Sequence, residues 1–220
     1  NTSHICCSYG NNNIIKLLYE HGCNFEQLDN NNWAPLYYAI ECNHIKTVKL
    51  LIEECKVKYN EMDPYHLMKP IHRIAEKDHL QISKYFKELG VSLYEKDENG
   101  LNTLYYAASE DAIDVFKYLV EKENFNIMPK SDGGTPLHQA CFKNCMKIFK
   151  YLKEKNIDPN TQDTYGNCAI HVAVEKGSME SMKFLIEELK CNDQLLNETG
   201  LDLIGISVKY NQYDTLKYLL

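Results

Sequence analysis

One five-letter word keeps returning along this chain, and its spacing constrains the fold more than any other feature. Residues 148–152 read IFKYL and residues 115–119 read VFKYL. Outward from them lie IIKLL at 14–18, TVKLL at 47–51, ISKYF at 82–86, SMKFL at 181–185 and TLKYL at 215–219. The shared lysines are Lys16, Lys49, Lys84, Lys117, Lys150, Lys183 and Lys217, spaced by 33, 35, 33, 33, 33 and 34 residues. A sustained period of this length signals a quasi-one-dimensional stack, in which each repeat packs only on its neighbours. The composition, 44% hydrophobic and 25% charged over 220 residues, is that of an ordinary soluble globular protein. A net charge of −7 argues against a nucleic-acid binder, whose footprint is usually a basic face. No apolar run approaches the roughly 20 residues a membrane helix needs. No signal peptide is evident, and the chain does not begin with Met.

Nine cysteines, an odd number, are scattered from Cys6 to Cys191. A secreted disulfide scaffold would be shorter and denser in cysteine. Several of them fall where the repeat wants a small apolar residue, the role free cysteine plays in a core. The expectation is a reducing compartment and an intracellular, cytoplasmic protein, monomeric as this chain.

The clearest repeat begins near Lys130. Thr135-Pro136 is a helix start: a threonine hydroxyl can cap orphan backbone N–H groups, and proline suits the first helical position. Leu137, Ala140 and Cys141 follow at helical spacing, and Asn144 stops the helix. Met146, Ile148, Phe149, Tyr151 and Leu152 form the apolar side of a second helix, with the shared lysine pointing to solvent. The stop position across the chain is Gly10, Asn43, Asp78, Asp111, Asn144, Gly177 and Asn211, all residues that accept positive φ. Gly100, Gly133, Gly166 and Gly200 mark the turn before the first helix. Polar, turn-rich stretches between helix pairs are consistent with projecting loops or β-hairpins.

These residues resemble the ankyrin repeat. GGTPLHQAC at 133–141 is close to that family's G-x-T-P-L-H-x-A-A signature, with weaker versions APLYYAI at 34–40, KPIHRIA at 69–75, NTLYYAA at 102–108, CAIHVAV at 168–174 and DLIGISV at 202–208. The resemblance covers essentially the whole chain and implies an all-α solenoid of stacked helix-turn-helix repeats, with β-hairpin loops projecting to make a concave surface. The array divides into repeats at approximately 1–28, 29–63, 64–96, 97–129, 130–162, 163–196 and 197–220, the first truncated. Ala34, Lys69 and Cys168 replace the cap threonine, which predicts helix starts weaker by about 1 kcal/mol each. Gly205 stands in place of the signature histidine. Ile204, Ile206 and Val208 keep the last repeat apolar where a terminal repeat is usually polar, which predicts a piece of a longer array.

Catalysis finds little support. His4, His72, His138 and His171 recur at one place in the repeat, with Tyr37 and Tyr105 substituting, and a periodic duplication argues against a unique site. The favoured reading is hydrogen bonding to loop backbone. His138, Cys141 and Cys145 could face one side of a helix end as zinc ligands, but no second Cys/His pair has matching spacing, so no metal is expected. No phosphate-binding, zinc-protease, nucleophile-elbow or kinase signature appears. The expectation is therefore no enzyme and no cofactor. The lysine run Lys143, Lys147, Lys150, Lys153 and Lys155 reads as a solvated helix face in preference to a nucleic-acid patch.

Partner contacts are placed by the resemblance on the hairpin tips and the exposed side of the first helices. There the sequence offers Trp33, Tyr65, Met68, Leu101 and Tyr165 on hairpins, and Glu76, Glu110, Phe142, Lys143, Lys176 and Tyr210 on helices. Large side chains left in water mark interaction surfaces, and Trp and Tyr are favoured hot-spot residues. Packing of Trp33 onto neighbouring hairpins is an equally good reading. The functional expectation is a scaffold that holds another protein, with no nucleic acid and no membrane insertion. The alternative is a regulatory or targeting array attached to an enzyme or channel domain.

Overall fold

A computed structural model describes residues 1–62, 68–127 and 134–220. Among them are fourteen α-helices and no strand, with an isolated antiparallel bridge between Lys96 and Asn102. The chain divides into two compact units, Asn1–Thr103 and Leu104–Leu220. The first holds α1 (Thr2–Ser8), α2 (Asn12–Glu20), α3 (Pro35–Glu41), α4 (Ile45–Glu53), α5 (Pro70–Glu76) and α6 (Leu80–Glu88). Helix α7 (Thr103–Ser109) begins at the boundary. The second unit continues with α8 (Ile113–Glu121), α9 (Pro136–Ala140), α10 (Met146–Glu154), α11 (Ala169–Glu175), α12 (Met179–Glu187), α13 (Leu203–Lys209) and α14 (Tyr213–Leu219). No helix among the described residues is long and apolar enough to cross a membrane.

Every one of these helices is too short to persist alone in water, so packing against neighbours must hold them. The buried side chains are the periodic ones: Leu36, Ile40, Val48 and Leu51 in the first unit, and Phe116, Phe149, Leu152, Ile170 and Leu185 in the second. All seven stop residues have positive φ, from 52° at Asn144 to 66° at Gly10 and Gly177. Asp111 and Asn144 do more than tolerate that conformation. The Asp111 carboxylate accepts the N–H groups of Lys147 and Ile148 at 3.0 and 2.9 Å, capping the second helix of the following repeat. Asn144 does the same for Ser181, whose N–H lies 3.0 Å from its Oδ1. Elsewhere the following repeat reaches back: Gln212 donates to the Glu175 carbonyl at 2.8 Å, and a Cβ at Gly177 would sit 2.4 Å from the Gln212 side chain.

The shared lysine does more than face solvent. Lys49, Lys117 and Lys183 are exposed, yet each also lies near a ring of the next repeat, 4.7, 5.7 and 5.3 Å from the centroids of Tyr85, Tyr151 and Tyr218. Each tyrosine donates its hydroxyl to the glutamate four residues after that lysine: Tyr85 to Glu53 at 2.8 Å, Tyr151 to Glu121 at 3.0 Å and Tyr218 to Glu187 at 2.9 Å. A cation over the electron-rich ring face is electrostatically favourable, and the glutamate fixes the ring. The recurring word therefore encodes a Lys–Tyr–Glu latch between successive repeats as well as an apolar face. Burial, and after it the hydrogen-bonded carboxylates of Glu53 and Glu121, hold Tyr85 and Tyr151 un-ionised well above the ordinary phenol range.

The turns ahead of the first helices are built on one side chain each. Asp97 Oδ1 accepts from the N–H groups of Asn99 and Leu101 at 2.9 and 2.7 Å, Asp163 Oδ1 from Tyr165 and Asn167 at 2.8 Å each, and Asn197 Oδ1 from Thr199 and Leu201 at 3.1 and 3.0 Å. Asp29 serves Asn31 and Trp33 likewise, at 2.8 and 3.0 Å. These Asx-anchored turns satisfy the loop backbone without a strand ladder.

Candidate protein-binding surface

The recurrent histidines occupy a fixed place that decides what chemistry they can do. In His138, Nε2 donates to the Asn167 carbonyl in the next repeat at 2.9 Å, while Nδ1 accepts the Thr135 N–H at 3.1 Å. His72 makes the same pair with Glu95 O at 2.9 Å and Lys69 N–H at 3.2 Å, and His171 with Leu195 O and Cys168 N–H, both at 2.9 Å. Tyr37 and Tyr105 reach the equivalent carbonyls, of Glu61 and Gly134, with their hydroxyls. Both ring nitrogens are committed to backbone, so these rings are girders and have no lone pair or proton to offer a substrate. Burial pushes the pKa values of His72, His138 and His171 down, which keeps the neutral tautomer that the geometry requires. At 69 and 168 the ring supplies half of a capping box from the N3 position, compensating in part for the missing cap threonine.

The candidate zinc set closes in the same way. The Cys141 thiol donates to the Leu137 and Ala169 carbonyls at 3.3 and 3.2 Å. Burial holds Cys141 protonated and pushes Cys145 up to about 11. All nine cysteines are free thiols, and most are buried.

In the first unit Trp33 folds back. Its ring stacks on Tyr37 at 5.9 Å between centroids, meets Tyr38 edge-on at 5.5 Å, and carries the Arg73 guanidinium 5.6 Å from its centroid. Arg73 in turn binds Glu41 at 2.7 Å and Glu76 at 2.8 Å, and Lys77 binds Glu41 at 2.7 Å. Burial raises the Glu41 carboxyl, but the hydrogen bonds and charges of Arg73 and Lys77 outweigh it and hold the group ionised below its usual range. Thus Trp33 and Glu76 are joined through one arginine into a braced patch. Leu101 is half-buried at its turn. Met68 is buried, contrary to its expected place on an exposed hairpin, so it contributes to packing and offers no contact. Tyr65 lies outside the described residues.

The second unit leaves three aromatic side chains of the expected surface in water. Phe142, Tyr165 and Tyr210 are all exposed. Lys176 sits 5.0 Å over the Phe142 ring and 2.8 Å from Glu175, and Glu110 holds Lys143 at 2.6 Å. Tyr165, Glu175, Leu201 and Tyr210 line an open groove of about 220 Å³. Lys143, Lys153 and Lys155 are paired with Glu110, Glu188 and Glu121, so three members of the lysine run are offset by carboxylates of adjacent repeats. The sequence reading missed the Arg73 bridge. Its signal is an arginine on the exposed side of α5 with Glu41 one period earlier and Glu76 three residues later.

The comparisons agree with this architecture. The family model described as "Ankyrin repeats (3 copies)" matches residues 1–63 and 71–163. The tyrosine-protein kinase HTK16 of Hydra vulgaris is 28% identical over 97 residues, 44% of this chain and 13% of the kinase. The potassium channel AKT2/3 of Arabidopsis thaliana is 24% identical over 108 residues, 49% of this chain and 13% of the channel. The chain thus matches only a small part of either relative's length. Among solved structures, the human ASB11 ankyrin repeat domain superposes with a TM-score of 0.74 at 19% identity, covering 99% of this chain and 97% of that one. A chain of the complex of the Bd0816 predatory endopeptidase from Bdellovibrio bacteriovorus with immunity protein Bd3460 superposes with a TM-score of 0.62 at 25% identity, covering 88% and 98%. Ankyrin repeats are in general protein–protein interaction modules with a fold that is typically non-catalytic. The period, the bridging histidines and the matched residues together place the chain in the ankyrin-repeat family.

Proposed function

We propose that this chain is a non-catalytic scaffold that holds a partner protein on the face made by its turn tips and first helices. The observation that carries the reading is the aromatic row of the second unit, where Phe142, Tyr165 and Tyr210 stand exposed beside Lys176 and an open groove. Aromatic side chains of this kind supply contact area at small entropic cost. Glu110 and Lys143 supply a polar rim in the second unit, and in the first unit the braced Trp33–Arg73–Glu76 patch and the half-buried Leu101 offer a separate preorganised surface. No step of this reading involves nucleic acid or membrane insertion. The experiment is affinity capture with the wild-type array and a Phe142→Ala/Tyr165→Ala variant of matched thermal stability. Proteins retained by the first and lost by the second support the reading, and identical capture by both refutes this placement of the site.

A second reading is favoured by the two relatives, a kinase and a channel, in each of which the similar segment is a small part. In it the array regulates or targets an enzyme or channel domain of a larger protein. The complete reading frame decides between them: a catalytic or membrane-spanning segment supports the second reading.

A further inference from the structure

Two turns of the first unit are built alike and differ in one chemically important residue. Residues 29–33 read DNNNW and residues 97–101 read DENGL. In each, the aspartate side chain accepts the N–H groups of the third and fifth residues: Asn31 and Trp33 at 2.8 and 3.0 Å, Asn99 and Leu101 at 2.9 and 2.7 Å. The aspartate N–H donates to the carbonyl of the fifth residue, at 3.0 Å for Trp33 and 2.9 Å for Leu101. Its carbonyl accepts the N–H of the fourth residue, Asn32 or Gly100, at 3.0 Å in both turns. That fourth residue has positive φ, 58° at Asn32 and 77° at Gly100. The third residue is an exposed asparagine in both. What differs is the residue after it. Asn99 belongs to the sequence's single Asn-Gly pair, whereas Asn31 precedes another asparagine.

We propose that Asn99 is a site of spontaneous modification, converting to isoaspartate and aspartate with water as the co-reactant. The Gly100 backbone nitrogen gives up its proton to solvent and forms a bond to Asn99 Cγ. The Cγ–Nδ2 bond breaks, and Nδ2 takes a proton from solvent and leaves as ammonia. The five-membered imide then takes up water at one of its two carbonyls. Opening at Cγ leaves aspartate, and opening at the main-chain carbonyl leaves isoaspartate, with the chain running through Cβ and Cγ. The attack needs a backbone nitrogen with no side chain beside it, which glycine supplies, and even a Cβ built at Gly100 would meet nothing within 4 Å. It also needs the turn to release the Gly100 N–H from the Asp97 carbonyl. The turn is pinned by Asp97 and one flanking bridge, Lys96 to Asn102, instead of a strand ladder, so local opening costs little. Isoaspartate then alters the turn as well as its charge. It adds one main-chain atom between the Asp97 N–H and the Leu101 carbonyl, now fitted to each other at 2.9 Å, and sets a carboxylate beside Asp97 and Glu98. The half-buried Leu101, held at both its N–H and its carbonyl by Asp97, is the residue displaced.

Peptide mass spectrometry of the folded chain held at pH 7.5 and 37 °C tests this, each conversion adding one mass unit. Asn99 should convert many-fold faster than Asn31, whose matching turn is the internal control. Two exchanges keep residues that accept positive φ at the fourth position. Gly100→Asn should slow Asn99 to the pace of Asn31, and Asn32→Gly should speed Asn31 to the pace of Asn99. An isoaspartate-specific methyltransferase with labelled S-adenosylmethionine should mark the aged wild type and leave aged Gly100→Asn unmarked. An Asn99 that stays intact, or converts no faster than Asn31, overturns the proposal. So does a Gly100→Asn variant whose Asn99 converts as fast as before, or an Asn32→Gly variant whose Asn31 does not quicken, since either would place the cause outside the Asn-Gly pair.

Discussion

Replacing His138 by leucine isolates the bridge that ties two repeats together in the second unit. Leucine keeps an apolar body in the site but leaves the Thr135 N–H and the Asn167 carbonyl without their partners at 3.1 and 2.9 Å. Thr135 is buried, so its orphaned N–H costs about 1–3 kcal/mol, while the half-exposed Asn167 carbonyl can recruit water and costs about 1 kcal/mol. The sum is about 2–4 kcal/mol, read by urea unfolding at pH 7.5. A second signature follows from protonation. Burial lowers the folded-state pKa of His138 below its unfolded value of about 6.5, outweighing the Asn167 carbonyl and the Asp163 charge, which act the other way. Below about pH 6.5 the unfolded chain therefore binds protons that the folded chain refuses, and stability falls as pH falls. The limiting slope is about 1.4 kcal/mol per pH unit for each such histidine, present until the pH reaches the folded pKa. His72 and His171 add in the same direction. His138→Leu should thus be less stable at pH 7.5 and lose less on going to pH 5.5 than the wild type. A variant within 0.5 kcal/mol of wild type, or one as acid-sensitive as wild type, would refute the bridging role.

Three further outcomes are expected. Gly134→Ala should destabilise more than Gly100→Ala in thermal melts, because both have positive φ but only at Gly134 would the new Cβ meet a side chain, His138 at 2.8 Å; the conformational part alone is about 1–2 kcal/mol at each. Asp111→Gly should cost about 1 kcal/mol through the lost cap on Lys147 and Ile148, and Asp111→Ala more, because alanine adds the strain of φ 56°; equal losses would mean that the cap alone matters. In an ultraviolet titration Tyr151 should ionise well above the ordinary phenol value, and Glu121→Gln should bring it down by removing a hydrogen-bonded carboxylate, while an unmoved titration would deny the latch.

The fold was legible because packing repeats and chemistry with a period shows itself. Every stop residue named from the sequence adopts positive φ, and the histidine column meets loop carbonyls as its periodic recurrence implied. What stayed hidden are partners lying one period away, since sequence shows a residue's own pattern and not what faces it. Lys117 is exposed as its own pattern says, but the Tyr151 ring beside it, 34 positions later, is not visible in that pattern. Asp111 reads as a tolerant stop until Lys147 and Ile148 present their N–H groups to it. Trp33 could be read two ways because the arginine that braces it belongs to another repeat. Met68 misled because its neighbours resemble a turn tip, whereas burial depends on what the chain folds over it.

Those hidden partners share one property: nearly all join one repeat to the next. The histidine girders, the Asx caps from Asp111 and Asn144, and the Lys–Tyr–Glu latches each span about one period. Within a repeat the helices are too short to stand alone, so most of the specific polar bonding has gone into the interfaces. A one-dimensional stack held this way transmits a local loss to its neighbours, because breaking one latch weakens two repeats. Phe142, Tyr165 and Tyr210 stand in water outside these bonds, although Phe142 still meets Lys176 of the next repeat. The exposed tyrosines are thereby free to be chosen for a partner, while the histidine girders, Asx caps and latches that hold the period lie outside the proposed surface.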